Sequence, residues 1–148
     1  MSKIILSLHP VFQCLAIFLA FYGAFLGFQR TRSLHFSRQS VIFRRKRHAL
    51  VGFIALVLLL GGMAGGKIIA HIVWQGMVVI HLHEGLALLI LPFLLIGMVS
   101  GLYLYFSPAK RRVLPAVHAI NNGILLVLLL YQAYSGIHVY LRYVLKIR

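Results

Sequence analysis

The stretch "RHALVGFIALVLLLGGMAGG", residues 47–66, decides the fold class, because a continuous apolar run follows its first two residues. A hydrocarbon core about 30 Å thick is crossed by roughly 20 helical residues, which is the length of this run. A strand is excluded because the apolar residues do not alternate with polar ones, and an unpaired strand leaves its backbone unsatisfied in lipid. The stretch therefore predicts a transmembrane helix.

Three more stretches of this kind occur in a chain of 148 residues that is 61% hydrophobic, well outside the composition of soluble domains. We predict an all-α protein made of one integral membrane domain over residues 1–148. Its four transmembrane helices form an antiparallel up-and-down bundle. The apolar segment 67–77 is predicted to lie between helices, along the membrane surface. The predicted spans are Ile4–Phe28, Phe43–Gly66, Val78–Phe106 and Leu114–Tyr140.

The basic residues are concentrated at one end of the predicted bundle. Of 15 lysines and arginines, seven lie in 29–48 and three in 107–113, while the other five lie near the opposite face. An excess of ten basic residues at one end over five at the other predicts that the basic loops are cytoplasmic and the termini external. The protein is expected to be a multi-pass protein of a prokaryotic inner membrane. This topology and contact with anionic membrane lipid account for the charge of +14, so we expect no nucleic-acid partner.

Four histidines occur once in each predicted helix, close to its beginning: His9, His48, His83 and His118. In a helix, positions i+14 and i+18 lie on nearly the same face as position i. From these four histidines, seven of the eight positions reached in this way are glycine, and the eighth is Gln132. Glycine on a helix face leaves room for a broad, flat group to approach the backbone.

Because consecutive helices run in opposite directions, His9 should meet His83 near one membrane face, and His48 should meet His118 near the other. Two such pairs suit the axial ligation of two noncovalent b-type haems, with all four histidines binding haem iron. With both axial positions filled, the expected task is electron transfer. A zinc or copper site is disfavoured because its ligands must converge within a few ångströms. Cys14 is the single cysteine, so there is no motif for covalent haem attachment.

The chain resembles the core of the cytochrome b561 superfamily. The resemblance rests on "RHALVGFIALVLLLGGMAGG", on "VHAINNGILLVLLLYQAYSG" and on "LHPVFQCLAIFLAFYGAFLGFQR", each with an early histidine, and it covers nearly the whole chain. It implies four helices, two haems and transmembrane electron transfer between partners on or near the two faces. Many members have six helices and use ascorbate, and we do not carry that substrate over to a four-helix chain.

Two assignments stay open in "HLHEG", residues 81–85: which histidine is the ligand, and what Glu84 does. The family spacing favours His81 as the ligand, whereas the periodicity of Gly97 and Gly101 favours His83. Glu84 is the only acidic residue of the chain, and it is assigned either to an ion pair or hydrogen bond, or to proton uptake from a quinol. The cluster at 44–47 is expected either to pair with haem propionates or to remain solvated.

The leading interpretation is a dihaem b-type cytochrome that works between a quinone pool and a redox partner protein, as part of a quinol-linked oxidoreductase. One alternative is a non-redox anchor or scaffold subunit of a larger membrane complex. Another is a proton or ion pathway built on histidines.

Overall fold

The computed structural model describes residues 3–35, 42–74, 81–107, 109 and 111–147, and of residues 33–35, 74 and 81 it describes the backbone alone. All of the regular structure in these ranges is helical: α1 Lys3–His35, α2 Arg45–Trp74, α3 His81–Phe106 and α4 Val113–Val139. The π-helical segment Tyr140–Leu145 continues α4 and ends at Lys146, which has a left-handed φ of 59°. The predicted all-α class is confirmed.

Each of the four α-helices is long and apolar enough to cross a membrane, with mean hydropathies between 2.0 and 2.4. Helix α1 packs on α2 and α4, and α3 packs on α2 and α4, so the helices are arranged in the ring order α1, α2, α3, α4. The two diagonals of this ring join α1 with α3 and α2 with α4. The chain is therefore compatible with a multi-pass membrane protein built as a four-helix bundle, whereas its orientation stays a prediction.

The prediction that residues 67–77 lie between helices is wrong for their first eight residues. Helix α2 does not end at Gly66 but continues through "KIIAHIVW" to Trp74, and residues 75–77 lie outside the described residues. These eight residues include no proline or glycine, so nothing in them interrupts the hydrogen-bond ladder of the helix. At about 1.5 Å per residue, these eight residues carry the end of α2 about 12 Å beyond Gly66.

An aliphatic core fills the bundle between its two ends. Its buried members come from all four helices, and Leu94 and Leu125 are the largest fully buried side chains. They occupy the helix segments between the histidines and the distant glycines. The buried cluster consists of Ala16, Leu56, Leu59, Ile90, Leu94, Leu125 and Leu129.

Arg45 joins the beginning of α2 to the end of α3. Its guanidinium donates hydrogen bonds to the backbone carbonyls of Leu104 and Tyr105, and it lies 5.3 Å from the Tyr105 ring centre. The last carbonyls of a helix have no partner within the helix and carry partial negative charge, so a guanidinium stabilises them. This contact places the beginning of α2 and the end of α3 at the same end of the bundle.

Candidate functional site

The four predicted histidines form two pairs across the diagonals of the bundle. The rings of His9 and His83 have their centroids 6.4 Å apart, and those of His48 and His118 are 6.2 Å apart. Within each pair the ring planes are nearly perpendicular, at 89° and 85°. We call these the α1–α3 pair and the α2–α4 pair. They lie at opposite ends of the bundle, with the aliphatic core between them.

The glycines at the +18 positions from the histidines face the imidazoles of neighbouring helices. A Cβ atom on Gly66 would lie 2.7 Å from Cε1 of His9, and one on Gly27 would lie 2.8 Å from Cε1 of His48. The other half of the bundle has the same arrangement. A Cβ atom on Gly136 would lie 3.0 Å from Cε1 of His83, and one on Gly101 would lie 3.2 Å from Cε1 of His118. Each histidine ring therefore occupies space that a side chain on the adjacent helix would fill.

The glycines at the +14 positions from the histidines accommodate other groups. A Cβ atom on Gly62 would overlap the Gln13 amide, and one on Gly97 would lie 2.7 Å from Oδ1 of Asn122. Gly23 faces the backbone of Gly52. The predicted glycine pattern thus marks close approach between helices, and the groups that use the space are protein groups: imidazoles at the +18 positions and mainly amides at the +14 positions.

Three of the four imidazoles have a hydrogen-bond acceptor at Nδ1. His48 Nδ1 lies 2.8 Å from the Gly23 carbonyl, and a carbonyl can only accept. His118 Nδ1 lies 2.8 Å from Ser100 Oγ, and His83 Nδ1 lies 2.9 Å from Ser135 Oγ. Each of these three rings therefore has a fixed contact at its Nδ1 atom.

Both serine hydroxyls already have an acceptor for their own hydrogen. Ser100 Oγ donates to the Ile96 carbonyl at 2.6 Å, and Ser135 Oγ donates to the Gln132 carbonyl at 3.0 Å. Each hydroxyl is thus left to accept from Nδ1–H of its histidine. This arrangement assigns the proton to Nδ1 and leaves the Nε2 lone pair free, as a metal-binding imidazole requires.

His9 differs from the other three, because its Nδ1 atom is buried and has no hydrogen-bond partner among the described residues. The Gly62 backbone nevertheless lies beside the His9 ring, without the geometry of a full hydrogen bond. Gly62 corresponds to Gly23, which holds His48, since both are +14 positions from a histidine of the set. The His9 contact is therefore a looser version of the His48 contact.

Two amides approach the free nitrogens of the α3 and α4 histidines. Gln132 Nε2 is 3.3 Å from Nε2 of His83, and Asn122 Nδ2 is 3.4 Å from Nε2 of His118. Each amide makes a shorter bond to the backbone carbonyl of the same histidine, at 3.0 and 2.7 Å respectively. The shorter bonds are the stronger ones, so neither Nε2 atom is firmly held by its amide.

Glu84 forms an ion pair with Lys67, with 3.7 Å between carboxylate and ammonium. This contact links α2, about two turns before its end, to the beginning of α3. An ion pair is one of the two roles that the sequence left open for Glu84. The side chain of His81 lies outside the described residues. In the basic cluster at 44–47, Arg45 donates hydrogen bonds to the last backbone carbonyls of α3.

Sequence reasoning missed Ser100 and Ser135, the acceptors at Nδ1. A signal was present: a Ser-Gly dipeptide occurs at 100–101 and again at 135–136, the same interval that separates His83 from His118. In each case the glycine is the +18 position and the serine precedes it. The repeat of serine and histidine at one interval predicts paired contacts between α3 and α4.

No three His, Cys, Asp or Glu side chains converge to hold a metal ion in the part of the chain that the structure describes. Each histidine pair brings two imidazoles together, with 6.4 and 6.2 Å between ring centres. Comparisons with models of known protein families, with curated proteins and with solved structures found no match to this chain. The resemblance to the cytochrome b561 superfamily therefore rests on the quoted residues alone.

Proposed function

We propose that the protein is a dihaem b-type cytochrome that carries electrons across a membrane. The observation that carries this proposal is the presence of two diagonal histidine pairs at opposite ends of a four-helix membrane bundle. His9 and His83 would hold one haem, and His48 and His118 would hold the other. A bound haem would supply one-electron oxidation and reduction.

The spacing of the rings supports this proposal. Two imidazoles that hold one metal ion between them would need room for two metal–nitrogen bonds of about 2.0 Å each, so their ring centres would have to lie several ångströms apart. The observed separations are 6.4 and 6.2 Å. Edge-to-face packing of rings also spans about 4.5–7 Å, so the spacing supports the proposal only together with the hydrogen bonds at Nδ1.

The hydrogen bonds at Nδ1 support a role in ligation for His48, His83 and His118. The Gly23 carbonyl and the hydroxyls of Ser100 and Ser135 orient the imidazoles and keep the proton on Nδ1. Contacts of this kind fix ring orientation and raise the basicity of a metal ligand. The +18 glycines allow the rings to lie against neighbouring helices. Simple helix packing does not require all three features together.

The two pairs suit transport between the two faces of the membrane. Helix α1 places His9 near one end of the bundle and Gly27, which contacts His48, near the other, roughly 27 Å apart along the helix. We propose a quinone pool and a redox partner protein, or a larger membrane complex, as donor and acceptor. In this proposal the chain transfers electrons within a quinol-linked oxidoreductase of a prokaryotic inner membrane.

Transport can be measured with the full-length protein, produced with haem supplied and reconstituted in vesicles that enclose ferricyanide. Ascorbate with a membrane-impermeant mediator is added outside. We expect the trapped ferricyanide to be reduced faster than in protein-free vesicles. His118→Ala should abolish this gain because it removes one ligand of the α2–α4 pair, and His138→Ala, a histidine outside both pairs, should retain it. Equal rates with and without protein would contradict the proposal.

A further inference from the structure

A cavity of about 490 Å³ lies between α1 and the segment that leads into α2. One part of its wall is apolar and is formed by Phe25, Leu26 and Ile42. Arg44 and Arg47 line another part. The cavity thus combines an apolar surface with two guanidinium groups, at the end of the bundle that holds the α2–α4 pair.

The cavity opens on the outside of the bundle. Leu26 is only 4% exposed and forms its floor, whereas Phe25 and Ile42 are 61% and 84% exposed. In a membrane such exposed apolar side chains face acyl chains, and the neighbouring arginines lie at the depth of the headgroups. The walls therefore match a molecule with an apolar tail and a polar head.

The two arginines have no acidic side chain of this chain as a counter-ion. Glu84 is the only acidic side chain, and it pairs with Lys67 at the other end of the bundle. Arg47 is held over the Tyr22 ring, with 5.5 Å from the guanidinium carbon to the ring centre, so it is fixed beside the cavity without being neutralised. An anion that pairs with these two arginines would therefore come from another molecule.

We propose that this cavity binds an anionic phospholipid, with the headgroup phosphate between Arg44 and Arg47 and an acyl chain along Phe25 and Ile42. Basic pockets between transmembrane helices at the positively charged face recognise such headgroups, and arginine matches phosphate oxygens in a bidentate manner. This site does not depend on the proposed electron transfer, because it uses none of the paired histidines.

The test uses the full-length protein, purified in detergent and freed of lipid, with dioleoyl phosphatidylglycerol or dioleoyl phosphatidylcholine added at known concentrations. Native mass spectrometry measures the bound lipid. We expect preferential binding of phosphatidylglycerol. Arg44→Gln and Arg47→Gln should each weaken it about fivefold, and the double variant roughly 25-fold, since each basic residue contributes about 1 kcal/mol near an anionic surface. The single variants keep the test usable if the double variant does not fold.

Arg112→Gln is the matched control, because Arg112 is an exposed arginine at the same end of the bundle and outside the cavity. It should bind phosphatidylglycerol as the wild type does. Equal binding of both lipids by the wild type, or equal losses in Arg112→Gln and in the cavity variants, would overturn the proposal in favour of general surface charge.

Discussion

The ring of His83 lies 6.4 Å from the ring of His9, centroid to centroid, across the diagonal that joins α1 and α3. The same imidazole contacts α4, where Ser135 accepts from its Nδ1 atom and Gly136 leaves space for its Cε1 atom. One side chain is thus positioned by two neighbouring helices at once. If the proposed α1–α3 haem is bound, this position makes His83 its expected ligand in "HLHEG", where the family spacing favours His81.

We predict that His83→Ala loses the haem of the α1–α3 pair and retains the haem of the α2–α4 pair. His81→Ala should retain both, because residues 81 and 83 differ by about 200° around a helix and only one can face the bundle interior. Haem content and reduced spectra of the two purified variants decide this. Loss of one haem in His81→Ala, with two retained in His83→Ala, would reverse the assignment.

Gly65 and Gly66 provide a matched pair for testing the close approach of an imidazole. A Cβ on Gly66 would lie 2.7 Å from His9 Cε1, whereas a Cβ on Gly65 meets nothing within 4 Å. We expect Gly66→Ala to displace the His9 ring and to lower the free energy of unfolding by about 1–3 kcal/mol. It should also change the absorption spectrum of the proposed α1–α3 haem. Gly65→Ala should leave the spectrum unchanged. Thermal unfolding and spectra of both variants test this. Equal stability and equal spectra in the two variants would show that the close approach of His9 to Gly66 contributes neither to stability nor to haem binding.

Ser135→Ala removes the hydrogen-bond acceptor at His83 Nδ1. The imidazole then becomes a less basic ligand, so the oxidised iron is stabilised less. We expect a higher midpoint potential for the α1–α3 haem and about 10–100-fold weaker haem binding. Ser100→Ala should have the same effect on the α2–α4 haem. Redox titration separates the two, with Ser7→Ala as a control serine outside both contacts. Unchanged potentials in both variants would remove the proposed role of these hydroxyls.

The ion pair between Lys67 and Glu84 should contribute little to stability. Its side chains are 69% and 43% exposed towards one end of the bundle, and a pair that water reaches there contributes about 0–1 kcal/mol. We expect Glu84→Gln and Lys67→Met each to change the unfolding free energy by less than about 1 kcal/mol. Chemical denaturation in detergent measures this. Slower quinol oxidation in Glu84→Gln alone, with unchanged stability and haem content, would assign the carboxylate to proton uptake instead.

The helices and the pairing partners of the histidines could be predicted from sequence, because apolar length and antiparallel connection fix both. The end of α2 could not be predicted, because the composition of "KIIAHIVW" fits a continuing transmembrane helix and a segment along the membrane surface equally well. The +14 and +18 periodicity identified the glycines, but not the groups they accommodate: Gly62 receives the Gln13 amide because the neighbouring helix brings it there. Contacts such as Ser135 to His83 depend on the rotation of two helices about their axes, which periodicity alone does not determine.

Haem content tests the central claim most directly. The full-length protein is produced with haem precursors supplied, purified in detergent, and analysed by pyridine haemochrome assay and by dithionite-reduced spectra. Two noncovalent b-type haems per folded chain with low-spin, bis-imidazole spectra are the predicted result. A folded, helical protein that is colourless, or that holds no haem after reconstitution, would contradict the account and leave the histidine pairs as helix-packing contacts.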